Sequence, residues 1–98
     1  MRTLGNFING QHVDSASHRV AGIYNPATGE QTLQVSLASA EETQHAVRVA
    51  GQAFLEWSKV TPLKRARILF KFKALVEEHT DELARLIASE HGKVFSDA

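Results

Sequence analysis

The side chains able to bind a metal, shuttle a proton or attack an electrophile are few in these 98 residues. His12, His18, His45, His79 and His91 come first, because imidazole ligates zinc and changes charge near neutral pH. A helical zinc pair sets its histidines at i and i+4, and no two of the five stand so. Glu41 and Glu42 precede His45 on one helix, and all three are expected to face solvent. Glu77, Glu78 and His79 read as a helix-terminal cluster, in which His79 meets the negative end of the dipole. Cysteine is absent, which removes a thiolate nucleophile, thiolate ligands and disulfides. No metal site is expected.

Phosphate and hydroxyl chemistry fare no better. Gly92-Lys93 matches the Gly-Lys near the end of a phosphate-binding loop, but that loop needs a glycine five positions earlier, where Ile87 stands. No G-x-G-x-x-G occurs, so there is no dinucleotide fingerprint. Ser15, Ser17, Ser36, Ser39, Ser58, Ser89 and Ser96 all lie outside G-x-S-x-G and S-x-x-K contexts. The residues alone predict no catalytic, cofactor-binding or metal site.

Eleven basic residues balance eleven acidic ones, so no global field announces a nucleic acid or an anionic membrane. The exception is local: Lys59, Lys64, Arg65, Arg67, Lys71 and Lys73 follow one another with no acid between them. Such a stretch on a helix can bind nucleic acid or a lipid surface. It can equally drape its long stems over neighbouring apolar surface and pair with acids elsewhere, and that reading is preferred. No apolar run reaches the roughly 18–20 residues of a membrane span, and residues 1–7 do not read as a signal peptide. A cytoplasmic location is expected.

The elements that must hold these side chains divide near residue 38. Before it, Asn9-Gly10 suits a two-residue type I′ turn and predicts a hairpin. Residues 14–19 read as a loop and Val20–Tyr24 as a short strand, stopped by the turn chemistry of Pro26 and Gly29. Residues 32–37 alternate, with Leu33, Val35 and Leu37 on one face. After it, Ser39 and Glu42 form a capping box for a helix over 40–58, whose stripe is Ala46, Val47, Ala50, Ala53, Phe54 and Trp57. Thr61-Pro62 starts a second helix to about 79. Thr80 is expected to cap a third over 81–91, ended by Gly92. The class is therefore α+β: short strands and a hairpin over 1–38, then three helices over 39–98. Ser96-Asp97-Ala98 reads as the start of a fourth helix, so the chain is expected to be cut from a longer one. The second helix agrees, since it carries two apolar stripes on different sides: Ile68, Leu69, Phe72, Leu75 and Val76, and Leu63, Ala66, Phe70 and Ala74.

The order of Phe7-Ile8-Asn9-Gly10-Gln11, Asn25-Pro26-Ala27-Thr28-Gly29-Glu30, A-x-x-A-F-x-x-W ending at Trp57, and Glu90-His91-Gly92-Lys93 resembles the N-terminal segment of the NAD-dependent aldehyde dehydrogenases. Arg67-Ile68-Leu69-Phe70-Lys71-Phe72 is most similar to the CoA-acylating methylmalonate-semialdehyde dehydrogenases among them. The resemblance implies the N-terminal part of an α/β fold, packed on the rest of the polypeptide in a homo-oligomer. It implies NAD and CoA as cofactors of the whole enzyme, which converts malonate or methylmalonate semialdehyde to acetyl-CoA or propionyl-CoA. The family's cysteine, oxyanion asparagine, glutamate and cofactor lysine lie in later motifs, so no role transfers to a residue here. On this reading the chain is structural and inert by itself. The alternative is a freestanding basic-helix module for nucleic acid or anionic membrane.

Overall fold

The computed structural model describes all residues, Met1–Ala98. Five strands precede three helices: β1 (Thr3–Leu4), β2 (Asn6–Ile8), β3 (Gln11–Val13), β4 (Val20–Tyr24), β5 (Gln31–Ser36), α1 (Ala40–Trp57), α2 (Pro62–Glu78) and α3 (Thr80–His91). A 3₁₀ turn, Phe95–Asp97, follows. Hairpin β2–β3 pairs antiparallel about Asn9 and Gly10, whose φ values of 54° and 74° meet the positive-φ demand of the predicted turn. The other strands form a sheet in the order β1–β5–β4, with β4 antiparallel and β1 parallel to β5.

Strand β1 is one more than the sequence predicts. Two residues are too few to alternate visibly, and their partners, Gln34 and Val35, lie some thirty positions on. The pairing is fixed by Ser36 Oγ donating to the Leu4 carbonyl at 3.1 Å and by Gln34 N–H donating to Arg2 at 3.0 Å.

The helices start where their caps put them. Ser39 Oγ accepts from Glu42 N–H (3.1 Å) while the Glu42 carboxylate accepts from Ser39 N–H (3.3 Å), completing the capping box. Thr61 Oγ1 accepts from Lys64 N–H (3.3 Å), with Pro62 in the first turn of α2. The third cap differs from expectation. Thr80 is already helical, and His79 both ends α2 and opens α3 with no side-chain capping bond. One residue between helices leaves the Thr80 hydroxyl beside the last carbonyls of α2, and it donates to Val76 (3.2 Å) and Glu77 (2.8 Å). Ser96, expected to cap a further helix, sits inside the 3₁₀ turn.

The assembly is a slab, 48 × 37 × 15 Å. Its thickness barely exceeds one helix with side chains, about 10–12 Å. The radius of gyration, 17.2 Å, is well above the roughly 13 Å of a compact chain this long. A layer one helix thick cannot enclose a core, and only Ala84 is buried, at 6 % exposure. Both stripes of α2 lie open apart from the half-buried Ala66, and Phe70 is 70 % exposed. No helix is long and apolar enough to cross a membrane.

Candidate functional site

Three polar clusters join the elements. The first gathers the loop 14–19 onto the start of α1. Glu42 Oε1, already in the capping box, also accepts from Ser15 Oγ at 2.9 Å. Ser15 Oγ in turn accepts from Ser17 N–H (3.1 Å), and Ser17 Oγ from Arg19 N–H (3.1 Å). The Arg19 guanidinium closes the chain of bonds on the Ala38 carbonyl at 3.2 Å. The Ser15 hydroxyl foremost, then the Ser39 backbone N–H, hold the Glu42 carboxyl below the usual carboxylate range, against the opposing effect of partial desolvation. Glu42 is therefore half-buried and bonded rather than solvent-facing as its sequence neighbours suggest, while Glu41 and His45 are exposed. The three border a shallow hollow with Ile8 and Val13 of the hairpin.

The second cluster sits at the end of α1, whose last turn has no basic residue of its own. Arg65 of α2 reaches back instead. Its Nε donates to the Val60 carbonyl at 2.9 Å and its Nη2 to Trp57 and Ser58 at 3.0 and 3.2 Å. The guanidinium also lies 5.3 Å from the Trp57 ring centroid, within cation–π range. One planar fork thus binds three carbonyls at the helix end, of which that of Trp57 also accepts from Val60 N–H at 3.0 Å. Arg65 leaves the basic stretch as a structural clamp. Lys73 forms an exposed pair with Glu77 at 3.7 Å, and Lys59, Lys64, Arg67 and Lys71 form no ion pair.

The third is the turn Asn25–Glu30. Asn25 Oδ1 accepts from Ala27 N–H at 2.9 Å, its carbonyl accepts from Gly29 N–H at 2.7 Å, and its own N–H donates to Glu30 at 2.9 Å. Gly29 has φ +76°. The turn is self-contained, with Pro26 on its outside against Gly92, where a Cβ would meet Pro26 Cγ at 3.2 Å. Gly92 takes φ +81° and ends α3 in the left-handed conformation the sequence predicts.

The five histidines are dispersed. His12 packs edge-on against Phe7, ring centroids 5.3 Å apart. His79 Nδ1 lies 2.9 Å from Glu82 Oε2, on the surface. His18 is in the loop and His91 closes α3. No three of the histidine and carboxylate side chains converge as a metal would require.

Nor do these residues fit a dinucleotide. The N-termini of α1 and α2 are filled by Ser39 and Thr61, and α3 opens on Asp81 and Glu82, which repel a pyrophosphate. Arg65, the best-placed fork, is committed to backbone carbonyls. The arrangement can hold backbone in place, and no redox or acyl-transfer step is assigned to it. The sequence missed the Ser15–Glu42 bond and the Arg65 clamp, because neither has a signature beyond ordinary polar residues near a helix end.

Residues 12–98 match the model of the aldehyde dehydrogenase family. The chain is 53 % identical over 97 residues to malonate-semialdehyde dehydrogenase 3 of Geobacillus kaustophilus, covering 99 % of this chain and 20 % of that protein. It superposes with a TM-score of 0.94 at 47 % identity on a methylmalonate-semialdehyde dehydrogenase of Oceanimonas doudoroffii. It does so with the same score at 42 % identity on a protein assigned the same activity from Sinorhizobium meliloti 1021, solved in complex with NAD. Each superposition covers 99 % of this chain and 20 % of the other. The chain thus spans about one fifth of the length of the relatives it matches.

Proposed function

We propose, for a chain that belongs to the aldehyde dehydrogenase family, a structural role as the N-terminal part of an enzyme that oxidises malonate or methylmalonate semialdehyde. One observation carries the reading: a chain that aligns end to end with a fifth of such enzymes has almost nothing buried when taken alone. A one-helix-thick slab with apolar side chains on both sides of α2 is a layer that needs others against it. The remaining polypeptide supplies the cover, together with the nucleophile, since no cysteine lies here. NAD and CoA are cofactors of that whole, cytoplasmic and homo-oligomeric enzyme, and none of these 98 residues is a catalytic, cofactor or metal ligand. No nucleic acid or membrane partner is assigned to the basic residues of α2.

A chimera tests the proposal: this chain replaces the matching fifth of the Geobacillus kaustophilus enzyme. The chimera is expected to form NADH from malonate semialdehyde and CoA, while the 98-residue chain alone forms none. An insoluble or inactive chimera overturns the reading, as does saturable, salt-sensitive binding of the isolated chain to DNA or anionic vesicles.

A further inference from the structure

The chain has three asparagines, Asn6, Asn9 and Asn25, and the fold sets their side-chain amides in different surroundings. An asparagine amide is chemically labile: the backbone nitrogen of the next residue attacks its Cγ and closes a five-membered ring. That nitrogen must carry a proton to lose, have an open approach, and sit on a backbone free to turn. Asn25 precedes Pro26, whose nitrogen has no proton, and its Oδ1 accepts from Ala27 N–H at 2.9 Å. Asn6 lies in β2 opposite Val13 and precedes Phe7, whose side chain crowds the attacking nitrogen.

Asn9 meets all three conditions. It is exposed and precedes Gly10, where even an added Cβ would meet nothing within 4 Å. Neither the Asn9 side chain nor the Gly10 N–H is hydrogen-bonded within the chain. Ring closure requires rotation about the Asn9 Cα–C bond, out of the mirror-image turn, so the tip must open. Strands β2 and β3 have three residues each and pair only with each other. A two-stranded hairpin is marginally stable on its own, so opening its tip costs little. The tip lies outside both stripes of α2 and does not depend on what covers that helix.

We infer that Asn9 is a site of spontaneous deamidation through a succinimide, formed when the hairpin tip opens and Gly10 N attacks. Gly10 N gives up its proton to hydroxide and bonds to Asn9 Cγ. The bond from Cγ to the side-chain nitrogen breaks, and that nitrogen takes up a proton and leaves as ammonia. Water then opens the ring. Attack at Cγ leaves aspartate at position 9, and attack at the backbone carbonyl leaves isoaspartate, with Gly10 N reprotonated in both cases. Aspartate-glycine suits the same turn. Isoaspartate routes the main chain through Cβ, which adds a methylene between Ile8 and Gln11 and breaks their register. Either product adds one negative charge to a chain whose formal net charge is zero.

Incubating the 98-residue chain at mildly alkaline pH, with peptide mapping by mass spectrometry, tests the inference separately from the chimera's activity. Residue 9 is expected to convert while Asn6 and Asn25 stay amides, faster as the pH rises, with isoaspartate labelled by an isoaspartyl methyltransferase. Asn9→Gln, whose ring would need six members, should lose that label. The isoaspartate fraction should lose the β2–β3 amide resonances, and Asn9→Asp should keep them. An Asn9 that stays an amide in the folded chain but converts in urea would show that the turn protects it, and overturns the inference. So does conversion at Asn6 as fast as at Asn9, or an isoaspartate fraction with an intact hairpin.

Discussion

Replacing Arg65 tests how far one side chain fixes the junction between α1 and α2. Its fork donates three hydrogen bonds, to Val60, Trp57 and Ser58, and lies against the Trp57 ring. A hydrogen bond nets about 1 kcal/mol, and more when one partner is charged. An exposed cation–π contact adds about 0.5–1 kcal/mol. The two Nη2 bonds are exposed and the Nε bond is part-buried, so solvent screening reduces the total. Arg65→Ala is expected to cost about 2 kcal/mol of local stability. Arg65→Lys keeps the charge but has no planar fork, and is expected to lose about half of that. Amide exchange reads the effect at Ser58, Lys59 and Val60, whose N–H groups bond to Phe54, Glu56 and Trp57. At about 1.4 kcal/mol per tenfold, Arg65→Ala should exchange there some thirtyfold faster. Fluorescence of Trp57, the single tryptophan, should change in parallel. Unchanged exchange in Arg65→Ala, or full retention in Arg65→Lys, refutes the clamp.

The other expectations rest on the remaining clusters. Because the Glu42 pKa is lowered in the folded chain, its contribution to stability is present above the ordinary glutamate range and is lost as pH falls through the lowered folded value. Ser15→Ala, which removes the largest cause, should move the Glu42 carboxyl titration upward by NMR; an unmoved titration denies the tether. Gly92→Ala meets both φ +81° and a Pro26 contact at 3.2 Å. It should cost about 1–3 kcal/mol and speed amide exchange at the end of α3; wild-type exchange would show the contact to be dispensable. Gly10→Val, a β-branched residue at φ +74°, should broaden or shift the β2–β3 amide resonances and leave those of α2 in place.

The fold was legible wherever one residue type answers one local demand. Asn9-Gly10 announced positive φ, Ser39 and Thr61 announced orphan N–H groups, and Gly92 announced a left-handed stop. Each of those arguments spans four residues or fewer. The β1–β5 pairing, the Ser15–Glu42 bond and the reach of Arg65 to Trp57 depend on which segments the chain brings together, and no spacing rule encodes that. Thr80 failed for a related reason. Its cap preference is real, but the one-residue hinge at His79 put its hydroxyl nearer the carbonyls of α2 than the free N–H groups of α3.

The two short motifs on which the family resemblance was read, Asn25-Pro26-Ala27-Thr28-Gly29-Glu30 and Glu90-His91-Gly92-Lys93, prove to be one structural feature. A tight turn presents Pro26, and the only residue without a Cβ lets the end of α3 come within van der Waals range of it. In both motifs, Pro26 and Gly92 thus answer a packing constraint. The same reasoning applies to α2 on a larger scale. Its apolar positions repeat on two opposite sides, although a slab 15 Å thick buries neither. Burying one Phe or Leu is worth roughly 1.5–3 kcal/mol, so exposing both stripes forgoes many times the stability of any single cap or clamp here. Local signals therefore set where each element begins and stops. The largest energetic term written in this sequence is realised only against a surface that these 98 residues do not bury among themselves.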